Sequence, residues 1–320
     1  MSVCLLGNEI KRALSPHLRL ICDMVIEPWY WIAFTVTAAA AQTGRNALQR
    51  ELTAVLGTAG ATQVRFLYGL PFGLAFCALV LWVTGERLPA LSINVWLWAL
   101  VGGLGQIAGT ALMLAAMREK SFVVSTALTK IEPVWVAMFG LVLLGDALSP
   151  GLVLAIATAT AGVLVMSWPA KGVDWSLRPM LLGLSSGAGF GVAAIGFRAA
   201  IQAVPEASFV LAASVVVALG LSIQTTLLAG WMLVRERALL VAIARAWRPS
   251  LLAGLLGAFA SQCWFLAFAV ETAARVRTLA LVEILFAHLV SRRLLSQNVS
   301  AREAMGLVLL IAGVVLVLNA

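Results

Sequence analysis

The sequence predicts an all-helical (all-α) integral membrane protein with ten transmembrane helices, arranged as two inverted repeats of five helices each. Three observations lead to this prediction. Of the 320 residues, 62% are hydrophobic and 11% are charged, whereas soluble domains average about 45–50% and about 25%. The hydrophobic residues form unbroken runs of about 20, the length that crosses about 30 Å of hydrocarbon as a helix. The third observation is an internal repeat.

The composition excludes several classes of protein. A water-soluble fold of this length has too little interior for so much apolar surface, which excludes a soluble enzyme, a nucleic-acid-binding domain and a disordered chain. A β-barrel is disfavoured because apolar and polar residues do not alternate. The net charge of +8 comes mostly from Lys and Arg between the apolar runs, where such residues anchor helices at lipid headgroups.

Cysteine and histidine do not predict a metal centre. The cysteines show no C-x-x-C spacing and no compact cluster, and two histidines are too few for one. These residues are Cys4, Cys22, Cys77, Cys263, His17 and His288. We therefore expect no disulfide framework, no metal and no cofactor.

The apolar runs follow a mixed N-terminal tail, residues 1–27, for which we predict a short helix on the membrane surface. A signal peptide ending near Ala38–Ala41 is the alternative, but the preceding segment is too long and carries acids. The predicted spans are about 29–49, 62–84, 94–117, 121–144, 151–168, 178–202, 207–232, 249–270, 275–295 and 302–319.

A polar break from Trp168 to Pro179 divides the spans into two sets of five. We therefore expect two units, residues 28–170 and residues 178–320. Nine of the eleven tryptophans lie at predicted span ends, where amphipathic rings favour the headgroup layer.

The two units resemble each other at an offset of 151 residues. The pairs are Trp96 with Trp247, Gly103 with Gly254, Glu132 with Glu283, and Gly162 with Gly313. Because five is odd, the second unit enters the bilayer from the opposite side. In secondary transporters such inverted repeats place the substrate site near the bilayer midplane, between the repeats. Transport by alternating access is therefore the leading hypothesis.

This pattern resembles that of a known family. The stretch Ser125–Trp135, followed by Gly145–Ser149 and Gly162-Val163, resembles the fourth and fifth spans of the EamA domain of the drug/metabolite transporter superfamily. A weaker second copy runs from Leu281–Ala287 to Gly313-Val314. The resemblance covers about residues 30–319 as two tandem units and implies a membrane carrier of unspecified substrate. One departure is Asp146, which stands where the family usually has Glu.

Charged residues inside spans are costly and mark functional pathways. Glu132 and Glu283 are equivalent in the two units, and each has an aromatic residue three positions later, Trp135 and Phe286. Since residues i and i+3 share a helix face, each unit is expected to present a carboxylate beside a ring. That surface suits a cationic or amphipathic solute, and either acid could exchange a proton.

Two alternatives remain open at this point. Glu132 could pair with Lys130, Arg65 or Arg277 and hold helices together. Lys130 could neutralise Glu283 across the repeat interface or contact an anionic substrate. The candidate substrate-binding residues are Glu132, Glu283, Trp135, Lys130, Phe286 and Gln262.

Other residues are predicted to have structural roles. Arg45 and Arg198 lie near span ends and are expected to extend to the headgroups. His288 is expected to pack, and Pro133 to kink its span. Rows of glycine predict close helix packing; they are Gly102, Gly105, Gly109, Gly183, Gly187, Gly191 and Gly196.

The sequence thus predicts a secondary transporter, not an enzyme, that moves a small organic metabolite (amino acid, amine or drug-like solute) outward across the cell inner membrane, coupled to protons. A multispan enzyme acting on a lipid-borne substrate would need a catalytic cluster at one membrane face. A non-transporting assembly partner would need an aqueous domain or long loops. The expected partners are the small-molecule substrate and membrane lipid, without nucleic acid.

Membrane orientation is predicted differently by two criteria. The family resemblance implies that both termini are cytoplasmic. That orientation places seven Lys and Arg residues inside and thirteen outside, which is opposite to the positive-inside rule.

Overall fold

A computed structural model describes residues 29–116, 127–167, 177–286 and 300–320. These residues form helices joined by short turns, without a strand among them. The helices are α1 Tyr30–Leu67, α2 Leu70–Thr84, α3 Ile93–Ala116, α4 Glu132–Phe139, α5 Pro150–Met166, α6 Leu177–Gln202, α7 Phe209–Arg235, α8 Arg237–Arg245, α9 Trp247–Val270, α10 Ala273–Leu279 and α11 Ala301–Asn319. A π-helical turn, Gly140–Leu144, extends α4, and a 3₁₀ turn, Ala280–Val282, follows α10.

Seven helices in the described part of the chain are long and apolar enough to cross a membrane. One of them, Tyr30–Thr84, has 55 residues and contains the first two predicted spans, while α5 is apolar but shorter than the others. The all-helical membrane class is therefore confirmed, whereas the count of ten inverted helices stays a prediction. The N-terminal tail and His288 lie outside the described residues.

The outer surface of the helices is apolar. Large hydrophobic side chains are strongly exposed on several helices, including Trp82, Val142, Val234 and Val308. The interior instead holds small residues and buried polar side chains. This distribution is typical of a helix bundle whose surroundings are lipid rather than water.

Glycines allow three helix pairs to pack closely. In the pair α3 and α6, a Cβ added to Gly196 would lie 2.6 Å from the backbone nitrogen of Gly102. In the pair α5 and α11, a Cβ on Gly313 would lie 2.5 Å from the nitrogen of Ala159. The third pair is α1 with α9, where Gly254 meets the backbone of Tyr68. The prediction of close packing at glycine rows is confirmed for α3 and α6.

Helix α8 is a short amphipathic helix between two long ones. Its Ile243 is fully buried, and the backbone oxygen of Ile243 accepts a hydrogen bond of 3.1 Å from the Tyr68 hydroxyl. Its Arg237 is exposed and donates from Nε to the Leu233 backbone oxygen. The helix therefore covers part of the bundle with its apolar face and leaves a basic face exposed.

A sharp bend at Gly57 interrupts α1. The backbone there has φ 68° and ψ −179°, a combination that essentially requires glycine. Across the bend, Gln49 Nε2 donates a hydrogen bond of 3.0 Å to the Ala61 backbone oxygen. The side chains of Arg45 and Arg65, one from each side of the bend, both lie against Gly257 of α9.

Replacing Gly57 by alanine tests the importance of this bend. We expect Gly57→Ala to lower the free energy of unfolding by about 1–3 kcal/mol, because alanine strains this backbone conformation. The measurement is thermal unfolding of the purified protein in detergent. Gly230→Ala is the control, since Gly230 is inside α7 and an added Cβ there meets nothing within 4 Å. Equal stability of the two variants would contradict the requirement for glycine at the bend.

Candidate functional site

A cavity of about 390 Å³ lies among α1, α3, α4, α6, α9 and α10. Its size falls within the range of about 300–1,000 Å³ typical of small-molecule sites. Helices from both predicted units contribute to its wall. The charged side chains in this wall include Arg45, Arg65, Lys130, Glu132, Arg277 and Glu283.

Helix breaks immediately precede both glutamates. A turn at Lys130 and Ile131 interrupts the span before α4 begins at Glu132, and Pro133 lies in the first turn of α4, where its missing N–H is tolerated. The expected kink at Pro133 is thus a break just before it. The turn Ala280–Val282 precedes Glu283 in the same way. Broken helices are common at transporter sites, at the interface of repeats.

The carboxylate of Glu283 is bound by two side chains from other helical segments, and a third side chain supports one of them. Lys130 Nζ forms an ion pair with Glu283 Oε1. Gln42 Nε2 donates a hydrogen bond of 2.9 Å to Glu283 Oε2. Trp264 Nε1 donates in turn to Gln42 Oε1 at 3.2 Å. Both oxygens of Glu283 are therefore occupied, and Lys130 neutralises its charge.

The carboxylate of Glu132 pairs with a cation from the opposite unit. Arg277 Nε lies 3.0 Å from Glu132 Oε1, although the two atoms are not aligned as a hydrogen bond. The Arg277 guanidinium also lies 4.5 Å from the ring centroid of Trp264 and 5.3 Å from that of Phe268, within the range of cation–π contact. The two ion pairs are reciprocal, since each joins a glutamate of one unit to a cation of the other.

Of the remaining cations in the cavity wall, Arg45 and Arg65 have no carboxylate partner among the described residues. Arg45 is 3% exposed; its Nη2 donates to Asn46 Oδ1 at 2.6 Å, while Nε and Nη1 have no hydrogen-bond partner. Arg65 is 5% exposed and donates to Thr110 Oγ1 at 2.9 Å. Among the described residues, neither has a carboxylate within ion-pair distance. The prediction that Arg45 extends to the headgroups is wrong, because its guanidinium is buried in the bundle.

Three predicted site residues do not line the cavity. Trp135 stacks on Phe139, with ring centroids 5.8 Å apart, and packs on Gly191 of α6. Gln262 donates a hydrogen bond of 2.8 Å to Ser214 Oγ, and Phe286 packs against the hydrophobic core. Three residues rotate a helix by about 300°, so Trp135 is offset by about 60° from Glu132 around the helix. That offset directs its ring toward α6 instead of the cavity.

The sequence also did not single out several residues that line the cavity. Gln42 stands in an apolar run with no signal to distinguish it, and Trp264 lies in the middle of a predicted span. Arg277 was considered only as a partner for Glu132. The positions of these side chains depend on how α1, α9 and α10 pack together, which the pattern of one helix does not encode.

The opposite end of the bundle is held together by other polar contacts. Arg198 Nη1 donates to both carboxylate oxygens of Asp146 at 2.7 Å. Glu86 accepts hydrogen bonds from the backbone nitrogen and the hydroxyl of Ser208 at 2.9 and 2.6 Å. Both contacts join the first predicted unit to the second. The prediction that Arg198 extends to the headgroups is therefore wrong, and Asp146 is its partner.

The Asp146–Arg198 ion pair and the cavity lie at different levels of the bundle. Helices α3 and α6 are antiparallel, because Gly102 lies beside Phe197 and Gly109 beside Phe190. Phe190 lines the cavity, together with Ala116 at the end of α3. Arg198 is two helical turns farther along α6, near the start of α3, about 12 Å from the level of Phe190 at 1.5 Å per residue.

Comparisons with known proteins find a matching family model and a similar solved structure. Residues 29–168 match the model of the EamA-like transporter family. A solved structure described as "Crystal structure of protein" is similar to this chain with a TM-score of 0.62 and 17% identity, and the match covers 89% of this chain and 94% of the other. At that identity the similarity shows the fold alone. No curated protein matches the sequence.

The Asp146–Arg198 pair yields a stability prediction. Asp146→Asn leaves a buried guanidinium without its counter-charge, which typically costs about 3–5 kcal/mol, so we expect a markedly lower midpoint of thermal unfolding. Arg275→Gln is the control, because the Arg275–Glu271 pair, with Arg275 30% exposed, should contribute at most about 1 kcal/mol. Similar losses in the two variants would contradict a structural role for the Asp146 pair.

Proposed function

We propose that this protein, which carries an EamA-like transporter unit over residues 29–168, is a secondary transporter that moves a small organic metabolite across the cell inner membrane by alternating access. The single observation that carries the proposal is a cavity between helices of both predicted units, with reciprocal ion pairs across it. We propose that net movement is outward and that both termini are cytoplasmic, as the family resemblance implies.

Alternating access would exchange one set of contacts for another. We propose that the Asp146–Arg198 pair and the Glu86–Ser208 hydrogen bonds seal the opposite end of the bundle in the present conformation. Opening that end requires both contacts to break while the helices around the cavity close on the solute. The regular helical hydrogen bonds are already interrupted before Glu132 and Glu283. The segments α4 and α10 can therefore bend there without breaking further helical hydrogen bonds.

Proton coupling follows from the same two carboxylates. Each glutamate is negatively charged while it pairs with Lys130 or Arg277. A proton on either carboxylate would remove that charge, weaken the pair and release a cation into the cavity. Binding of a proton and rearrangement of the helices would then be energetically coupled, as proton-coupled transport requires.

Glutamine variants test the role of the carboxylates in flux. We expect Glu132→Gln and Glu283→Gln each to reduce flux driven by a pH gradient by at least about tenfold, since a charge-assisted contact contributes about 1.5–3 kcal/mol. The measurement is uptake and counterflow in proteoliposomes, with a radiolabelled panel of amino acids, amines and organic acids. The control is Glu236→Gln, an exposed residue outside the cavity. Unchanged flux in both cavity variants would show that the pairs only hold helices together.

A cross-link tests whether the sealed end must open. In a background without the native cysteines, we expect Asp146→Cys/Arg198→Cys joined by a short bifunctional thiol reagent to stop flux, and reduction of a cleavable linker to restore it. Each single cysteine variant treated with the same reagent controls for modification alone. Undiminished flux through the cross-linked protein would contradict alternating access by way of this end.

A further inference from the structure

We propose that the transported solute is an organic anion, whose carboxylate or phosphate oxygens bind between Arg45 and Arg65. This inference rests on the transporter function proposed above and names its substrate class. The sequence alone favoured a cationic or amphipathic solute attracted by Glu132 and Glu283. The structure points to the opposite charge.

The balance of charge in the cavity favours an anion. The carboxylates of Glu132 and Glu283 are each matched by a cation of the chain, Arg277 and Lys130. A cationic solute would have to displace one of these cations and would meet the remaining ones. Arg45 and Arg65 add positive charge without a carboxylate partner in the described residues. Charges buried in a low-dielectric interior need compensation, and an anionic solute supplies it.

The hydrogen bonding of Arg45 points the same way. Its side chain lines the cavity and is almost fully buried, and it leaves the N–H groups at Nε and Nη1 without acceptors. A buried donor without an acceptor is unfavourable. The planar guanidinium matches the spacing of carboxylate and phosphate oxygens, so these groups are the acceptors that fit it best.

The aliphatic stems of the two arginine side chains also lie close together. The bend at Gly57 brings Arg65 back beside the helix that carries Arg45, and the two side chains pack on the same residue, Gly257. Arg45 and Arg277 carry the same positive charge as Arg65 and repel it. An oxyanion between Arg45 and Arg65 would replace this repulsion by attraction.

The rest of the wall suits an organic body attached to the oxyanion. Phe190, Met113 and Ile284 give the cavity an apolar surface, and Gln106 adds a polar group. A small inorganic ion would leave this surface unused. The lining therefore fits a solute with one anionic end and a larger, partly apolar body.

Stability without any solute is the first test, and it does not require the substrate to be known. If only a bound anion compensates the charge of Arg45, then Arg45→Gln removes an uncompensated charge from the solute-free protein. The solute-free variant should therefore unfold at the same or a higher temperature than the wild type. Arg198→Gln is the comparison, because Arg198 already has its carboxylate and its loss should lower the unfolding temperature. A destabilisation by Arg45→Gln as large as that by Arg198→Gln would overturn the proposal.

Binding is the second test, with the protein in nanodiscs of phosphatidylcholine at constant ionic strength. The probes are sulfate, phosphate, succinate and benzoate as anions, and choline and tetraethylammonium as cations. We expect the anions to raise the unfolding temperature and the cations to leave it unchanged. Arg45→Gln and Arg65→Gln should raise the half-saturating anion concentration at least about tenfold. Arg237→Gln, which removes the same charge from an exposed site, should leave it unaltered.

The outcomes separate this inference from the transporter proposal. Anion binding at Arg45 and Arg65 without flux in proteoliposomes would support the anion site and contradict transport. Flux of an amine without any effect of anions would support transport and overturn the inference. Absence of a shift with every anion would also overturn it. A shift produced only by phosphatidylglycerol in the nanodiscs would identify a lipid headgroup as the occupant and overturn the solute assignment.

Discussion

The rest of the structure depends on one constraint, which is that a charge buried within a membrane protein needs a counter-charge. The bundle satisfies this constraint by pairing charges between its two predicted units. Glu283 meets Lys130, Glu132 meets Arg277, and Asp146 meets Arg198. The first two pairs lie in the wall of the cavity, and the third joins helices at the other end of the bundle. Among the described residues, Arg45 and Arg65 have no counter-charge, and both line the cavity.

Backbone features bring these charges together. Glycine rows let α3 approach α6 and let α5 approach α11 until backbone contacts backbone, which side chains of normal size would prevent. The bend at Gly57 returns the chain so that Arg65 lies near Arg45, and the helix breaks before Glu132 and Glu283 free these residues from continuous helices. The polar site is thus produced by irregular backbone within an otherwise regular helical bundle.

The sequence predicted those parts of the site that follow from charge and symmetry alone. Glu132, Glu283 and Lys130 were singled out because charged residues inside apolar runs are rare, and all three line the cavity. Trp135 and Phe286 were misplaced, because shared helix faces say nothing about which neighbouring helix each face meets. Arg45 was misplaced for a related reason: distance from a span end predicts access to headgroups only if no other helix covers that end.

The most direct test of anion binding in the cavity is a crystal structure of the protein with selenate, an oxyanion whose selenium gives an anomalous signal. We expect an anomalous peak inside the cavity, within hydrogen-bond distance of the guanidinium groups of Arg45 and Arg65, with the Lys130–Glu283 and Arg277–Glu132 pairs still formed. Peaks confined to exposed arginines such as Arg237, with nothing bound in the cavity, would contradict it.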